Sequence, residues 1–271
     1  TMYRWKDEKE NNSFSFFDTI REELEKIRES IYPGRIKLDK IIENPYLLFQ
    51  LRGISLLTLE DYENSKEMFL KSFDHQPENV NTLCGLGLAY RYMQKLDLAL
   101  KYFDMALYNN EHDAEIYVYI AIVFSMKQFD IEYPLKYYDT ALKYDQNNYD
   151  AHLNKGIDLF HFGGRLEESK KSLKLAFELN RSDPHVNLYL GLVSIESDEA
   201  DQADQYFEQA LNLSGNKLKY FIDICENLVS NNQNTLAEKY CKQGLKGNNH
   251  PTNEKLKQLL KMISNGSNSL S

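Results

Sequence analysis

Small and large apolar positions recur along this chain in a fixed long-range rhythm. Small residues stand at Gly53, Gly87, Ala121, Gly156, Gly191 and Cys225, at steps of 34, 34, 35, 35 and 34. A second register follows 16 or 17 residues after each, large in all but its last member: Phe69, Phe103, Tyr138, Leu173, Phe207 and Cys241. A third lies three residues further on, at Ser72, Ala106, Ala141, Ala176, Ala210 and Gly244. Such a period means an array of supersecondary units rather than one globular core. Each unit has room for two antiparallel helices. Small residues are needed where helix backbones cross closely, and large ones fill the space between. The predicted units are 46–79, 80–113, 114–148, 149–183, 184–217 and 218–251.

The flanks carry shorter patterns. Ile20, Leu24, Ile27 and Ile31 recur at helical spacing behind a candidate cap, Asp18, and Pro33-Gly34 ends the run. Residues 14–45 are therefore expected to be an N-terminal helical segment that covers the first repeat, docks on this protein or meets a partner, and residues 1–13 a disordered start. Leu256, Leu259, Leu260 and Ile263 predict a capping helix over 252–264, followed by a polar, aperiodic tail at 265–271. Units three and four each carry an extra residue between their helices, near Asp130–Pro134 and Gly163–Gly164. Pro134 fits the first turn of its helix, where the missing N–H costs least.

With these residues in place, the chain resembles the tetratricopeptide repeat (TPR) family, whose unit reads W-x2-L-G-x2-Y, then A-x3-F, then A and often P. The likeness covers about residues 46–251. The second unit matches with Leu83, Leu86, Gly87, Tyr90, Ala99, Phe103 and Ala106, and the fifth with Leu190, Gly191, Ala203, Phe207 and Ala210. The first has Ser65 and Ser72 at alanine places, with Pro77 closing it; the sixth has Cys225, Cys241 and Gly244, as an end-of-array unit would. The resemblance implies an all-α, right-handed superhelical solenoid of helical hairpins that binds proteins and is not an enzyme.

In that family the first helix of each hairpin lines a concave surface, mainly through places 2, 5, 9, 12 and 13. The resemblance thus nominates Cys84, Leu88, Arg91 and Tyr92 in unit two, Val118 and Ile122 in unit three, and Leu153, Ile157, Phe160 and His161 in unit four. Leu188, Leu192 and Ile195 follow in unit five and Ile222 in unit six. Most are apolar, so the expectation is an open apolar groove, larger than the patch a soluble monomer usually exposes, suited to an amphipathic helix or extended peptide. The alternative is that these side chains pack on their own neighbours. Capture of a chaperone's C-terminal carboxylate, known in the family, is disfavoured. The corresponding places hold Gln50, Ile54, Gly85, Glu115 and Tyr119 instead of cationic donors.

Composition narrows the ligand further. Forty-one acidic against 32 basic residues leave a formal net charge of −9, which argues against nucleic acid or an anionic membrane as the main ligand. No apolar run is long enough to span a bilayer and the first thirty residues are too charged for a signal peptide, so the expected compartment is the cytoplasm. Three cysteines without CxxC spacing read as buried thiols. No Walker loop, GxGxxG, HExxH or GxSxG occurs, and His112, His152, His161 and His185 have no metal-ligand spacing, so neither cofactor nor metal is expected. The acidic run Glu196–Asp204 and the later lysines from Lys239 to Lys261 can orient a charged partner or a second copy. The functional expectation is an adaptor or scaffold holding a partner's apolar segment. A regulatory or targeting subunit of an enzyme complex, or a sensor of a signalling peptide, are the alternatives.

Overall fold

The computed structural model describes residues 45–128, 130–246 and 254–267, and every regular element among them is a helix. The expected disordered start and N-terminal helix, residues 1–44, lie outside the described residues. Six hairpins follow one another: α1 Pro45–Thr58 with α2 Tyr62–His75, α3 Val80–Tyr92 with α4 Leu96–Asn109, and α5 Ala114–Met126 with α6 Glu132–Tyr144. Then come α7 Tyr149–Asp158 with α8 Leu166–Leu179, α9 Pro184–Glu196 with α10 Ala200–Leu213, and α11 Leu218–Ser230 with α12 Asn234–Lys246. A last helix, α13, runs over Glu254–Ser267. The chain packs as two compact units, one up to Ala151 and one from His152.

The long-range rhythm of the sequence is a rhythm of contacts. In the first unit a Cβ placed on Gly53 would lie 2.9 Å from the Phe69 ring, and one on Gly87 would overlap the Phe103 ring. In the second unit a Cβ on Gly156 would lie 2.6 Å from Leu173, and one on Gly191 would overlap Phe207. The first helix of each of these hairpins thus lacks a side chain where the second inserts a large one. Cys225 and Cys241, both buried free thiols, meet at the corresponding place of the last hairpin. Gly85, outside the three registers, faces Phe69 of the preceding hairpin so closely that a Cβ there would overlap the ring, and this locks α2 against α3.

The serines that interrupt the pattern are satisfied. Ser65 Oγ donates to the Gly53 carbonyl at 2.7 Å, and Ser169 does the same to Gly156. Ser72 Oγ meets Thr82 Oγ1 at 2.8 Å, and Gln50 Nε2 donates to both Thr82 Oγ1 and Asn79 Oδ1. A hydroxyl therefore replaces alanine at these sites without leaving a buried polar group unpaired.

Within hairpins the turn is a repeated device. Glu60, Gln94, Gln128, Asp198 and Asn232 each adopt positive φ just after the first helix. There the chain closes with 6→1 bonds such as Lys95 N–H to Tyr90 O, 2.9 Å, and Glu199 N–H to Ser194 O, 2.8 Å. The extra residue of the fourth repeat is absorbed by a π-turn, Leu159–Gly163, and by left-handed Gly164 at φ 54°. Pro134 stands in the first turn of α6 as expected. The closing helix α13 reaches Ser267, three residues into the stretch expected to be tail; Leu256, Leu259 and Ile263 anchor it, and the helix continues past its last apolar contact.

The glycine contact is open to test. Gly87→Ala is expected to cost roughly 2–3 kcal/mol in urea unfolding by driving a methyl into Phe103. Adding Phe103→Leu should recover part of that loss.

Candidate functional site

In the first unit, Cys84, Leu88 and Arg91 fall at i, i+4 and i+7 on one face of α3. Their equivalents on α5, Val118 and Ile122, stand on the neighbouring first helix of the next hairpin. These side chains do not form the open apolar strip expected from the sequence. Cys84, Leu88, Arg91, Val118 and Ile122 are all buried, and Tyr92 is half-buried. The second unit repeats the finding: Leu153, Ile157, Phe160, Leu188, Leu192 and Ile195 are buried, Ile222 is half-buried and His161 is exposed. α9 explains why, since every residue from His185 through Ile195 is buried. A first helix of this kind touches its own hairpin partner, the preceding second helix and a neighbouring first helix, and its apolar side chains spread over all of them.

The first unit has an open cleft of mixed polar and apolar lining. A cavity of about 200 Å³ lies at the N-terminal ends of α3 and α5, with Val80, Asn81, Cys84, Ile116 and Tyr119 on its walls together with Asp113, Glu115, Asp145 and Asn148. Asp113 caps α5, its Oδ1 accepting the Glu115 N–H at 3.1 Å, and Asn110 donates to its other oxygen at 3.2 Å. Burial nevertheless holds its carboxyl above the usual carboxylate range, outweighing those bonds. Tyr119 Oη lies 3.4 Å from Glu115 Oε2. Cys84 belongs to this lining; the acidic residues around it are ones the apolar reading of the groove passed over, although Glu115 already stood at an inward place.

At the opposite end of the same face, Arg91 is 1% exposed. Its guanidinium carbon lies 4.6 Å from the centre of the Tyr92 ring, which in turn stacks on Tyr62 at 5.1 Å. Neither terminal guanidinium nitrogen has a hydrogen-bond partner among the described residues.

The second unit carries a polar cluster at the start of α9 and α11. Asp183 Oδ1 accepts the backbone N–H of His185 at 2.7 Å and lies 3.1 Å from its Nδ1, while Tyr220 Oη lies 3.1 Å from His185 Nε2. Asp223 is pushed up to about 6, chiefly by burial; Lys219 and His185 oppose the rise and Glu226 adds to it. The acidic and basic runs of the sequence meet inside this unit where Lys239 pairs with Asp204 at 2.7 Å; Tyr240 Oη also donates to Asp204 at 2.6 Å, and Lys170, outside the basic run, pairs with Glu199. Among the described residues no group of three His, Cys, Asp or Glu side chains could hold a metal ion, and no helix is long and apolar enough to cross a membrane.

Comparison with known proteins gives the fold a context. No protein-family profile matches the chain. Over 173 residues, 64% of this chain, it is 28% identical to anaphase-promoting complex subunit 3 of Schizosaccharomyces pombe, and it spans 25% of that relative's length. Among solved structures, the APC/C hetero-tetramer Cut9-Hcn1 superposes over 83% of this chain and 44% of the other, with a TM-score of 0.69 and 16% identity. TTC0263, a thermophilic TPR protein of Thermus thermophilus, superposes over 68% of this chain and 99% of its own, with a TM-score of 0.60 and 16% identity. At such identities the likeness is one of fold.

Asp223 yields a pH signature. Its carboxyl is harder to ionise folded than unfolded, so it subtracts stability above about pH 6, and the penalty vanishes as pH falls below the unfolded value near 4. Asp223→Asn is therefore expected to gain about 1–2 kcal/mol at pH 8, after discounting for partial exposure, and almost nothing at pH 4. Urea midpoints at the two pH values decide it.

Proposed function

For a chain that is a tetratricopeptide-repeat protein in repeat pattern and fold, we propose the role of a non-catalytic adaptor that holds a segment of a partner protein along its first helices. The observation that carries this reading is the cleft between α3 and α5. It is open, built on rigid helices, and lined by carboxylates and amides beside apolar walls. Such a surface supplies orienting polar contacts around apolar burial, and the apolar part contributes roughly 25 cal/mol per Å² before ordering costs. The apolar side chains at Leu88, Val118, Ile122, Leu153, Leu188 and Leu192 serve mainly to fix the helices that carry the surface. Of the residues nominated in the first unit, half-buried Tyr92 is nearest solvent, and a direct ligand contact is proposed for it.

A second reading, a subunit that positions other members of a multi-protein assembly, is favoured by the relatives themselves. One is named as a subunit of the anaphase-promoting complex, and one structure is a hetero-tetramer of that complex. It differs from the first in predicting stable stoichiometric partners rather than exchangeable peptides. The cytoplasm remains the expected compartment.

The test is capture of partners from source cells by the wild-type chain beside Asn81→Lys combined with Glu115→Lys, two half-buried rim positions that leave the core untouched. Partners reduced at least about tenfold, with unchanged helicity by circular dichroism, support the cleft as the working surface. An identical partner list for both proteins would move the binding surface elsewhere. Co-elution of the partners as one fixed-ratio complex selects the assembly reading.

A further inference from the structure

Arg91 indicates what chemistry the partner must bring to the first unit. A guanidinium carries five donors and stays charged at any physiological pH. Here it is almost wholly buried, and neither terminal nitrogen is hydrogen-bonded among the described residues. The Tyr92 ring at 4.6 Å offers a cation–π contact, which offsets only part of the lost hydration. An apolar side chain of similar volume would be cheaper at this place if packing were all that was required. A buried charge left this way calls for an acceptor beyond the described residues.

The same face of α3 ends, seven residues earlier, at Cys84 in the acidic cleft of Asp113, Glu115 and Asp145. At 1.5 Å per residue the two features are about 10 Å apart along the helix. Between them stands buried Leu88. One face therefore carries a buried cation at one end, the carboxylate-lined cleft at the other and a buried apolar step between.

We propose that the first unit binds a dipolar partner segment, which sets an Asp or Glu carboxylate on Arg91 and a Lys or Arg side chain in the Asp113–Glu115–Asp145 cleft. This rests on the peptide-binding reading above and adds the charge pattern of the ligand. In an extended segment the two charged residues stand about three positions apart, and in a helical one about seven. The carboxylate arrives from the side of half-buried Tyr92, displacing its ring and exchanging a cation–π contact for a charge-assisted, two-point pair shielded from water.

The experiment selects a displayed library of random twelve-residue peptides against the full chain and against Arg91→Met. The wild type is expected to enrich peptides with an acidic residue at one of those spacings from a basic one. For a synthetic winner, changing its acid to the amide should weaken binding to the wild type about tenfold or more, and to Arg91→Met less than twofold. Arg91→Met should unfold at the same urea concentration as the wild type or a higher one. The acid-to-amide comparison on the wild type stands even if the variant folds poorly. Winners without an acidic residue, binding both proteins equally, would overturn this inference and leave the adaptor reading intact. Enrichment of no peptide by the wild type, with none by Arg91→Met either, would overturn both. Self-association of the wild type that Arg91→Met abolishes, without acidic winners, would assign the guanidinium to a second copy and overturn the partner-segment proposal.

Discussion

The described fold depends on one steric exchange, in which a helix gives up its side chain so that the next can insert an aromatic ring. Gly87 and Phe103, Gly53 and Phe69, and Gly191 and Phe207 each make it, and every ring involved is fully buried. Because the interior is close-packed, neither member tolerates change alone. The contact sets the distance between the two helices of a hairpin, and Gly85 on Phe69 extends the same logic to the junction with the next. The variants, Leu173 against Gly156 and the paired thiols Cys225 and Cys241, keep the geometry while changing the chemistry.

Polar residues inside the repeats do a different job. Gln50, Ser72, Asn79 and Thr82 form a small network where the first hairpin meets the second, and Ser65 and Ser169 cap carbonyls that alanine would leave to the helix ladder alone. These departures from the repeat pattern are compensated locally. Arg91 differs from them, since its two terminal nitrogens find no acceptor among the described residues. Asp223 is a milder case, a carboxyl whose Oδ2 is buried without a hydrogen bond while Lys219 supplies a compensating charge nearby.

Hairpin pairing and the places of the close contacts among the described residues were legible because periodic constraints write themselves into sequence: a small residue recurs each time the close contact recurs. The inserted residues were legible as well, although their form was not. Nothing in Gly163-Gly164 says that the slack is taken up by a π-turn before Gly164 rather than by a longer loop. The non-glycine left-handed residues, Gln94 and its equivalents, were invisible, because the 6→1 bonds that hold them there come from the backbone rather than from a residue type.

By itself, the amino-acid sequence determined an all-α array of paired helices with a net negative charge and the family of surfaces such an array can present. The tertiary structure decided which of the inward residues are available. Apolar side chains at places 5, 9 and 12 are drawn into contact with three neighbouring helices, so most of the residues nominated for a groove became its foundation. The acidic cleft around Cys84 and the buried guanidinium of Arg91 emerge only when α3 and α5 lie side by side. Periodicity reports contacts that repeat, whereas a binding site is made of what does not repeat, and solvent access to it is a property of the packed assembly rather than of any one residue.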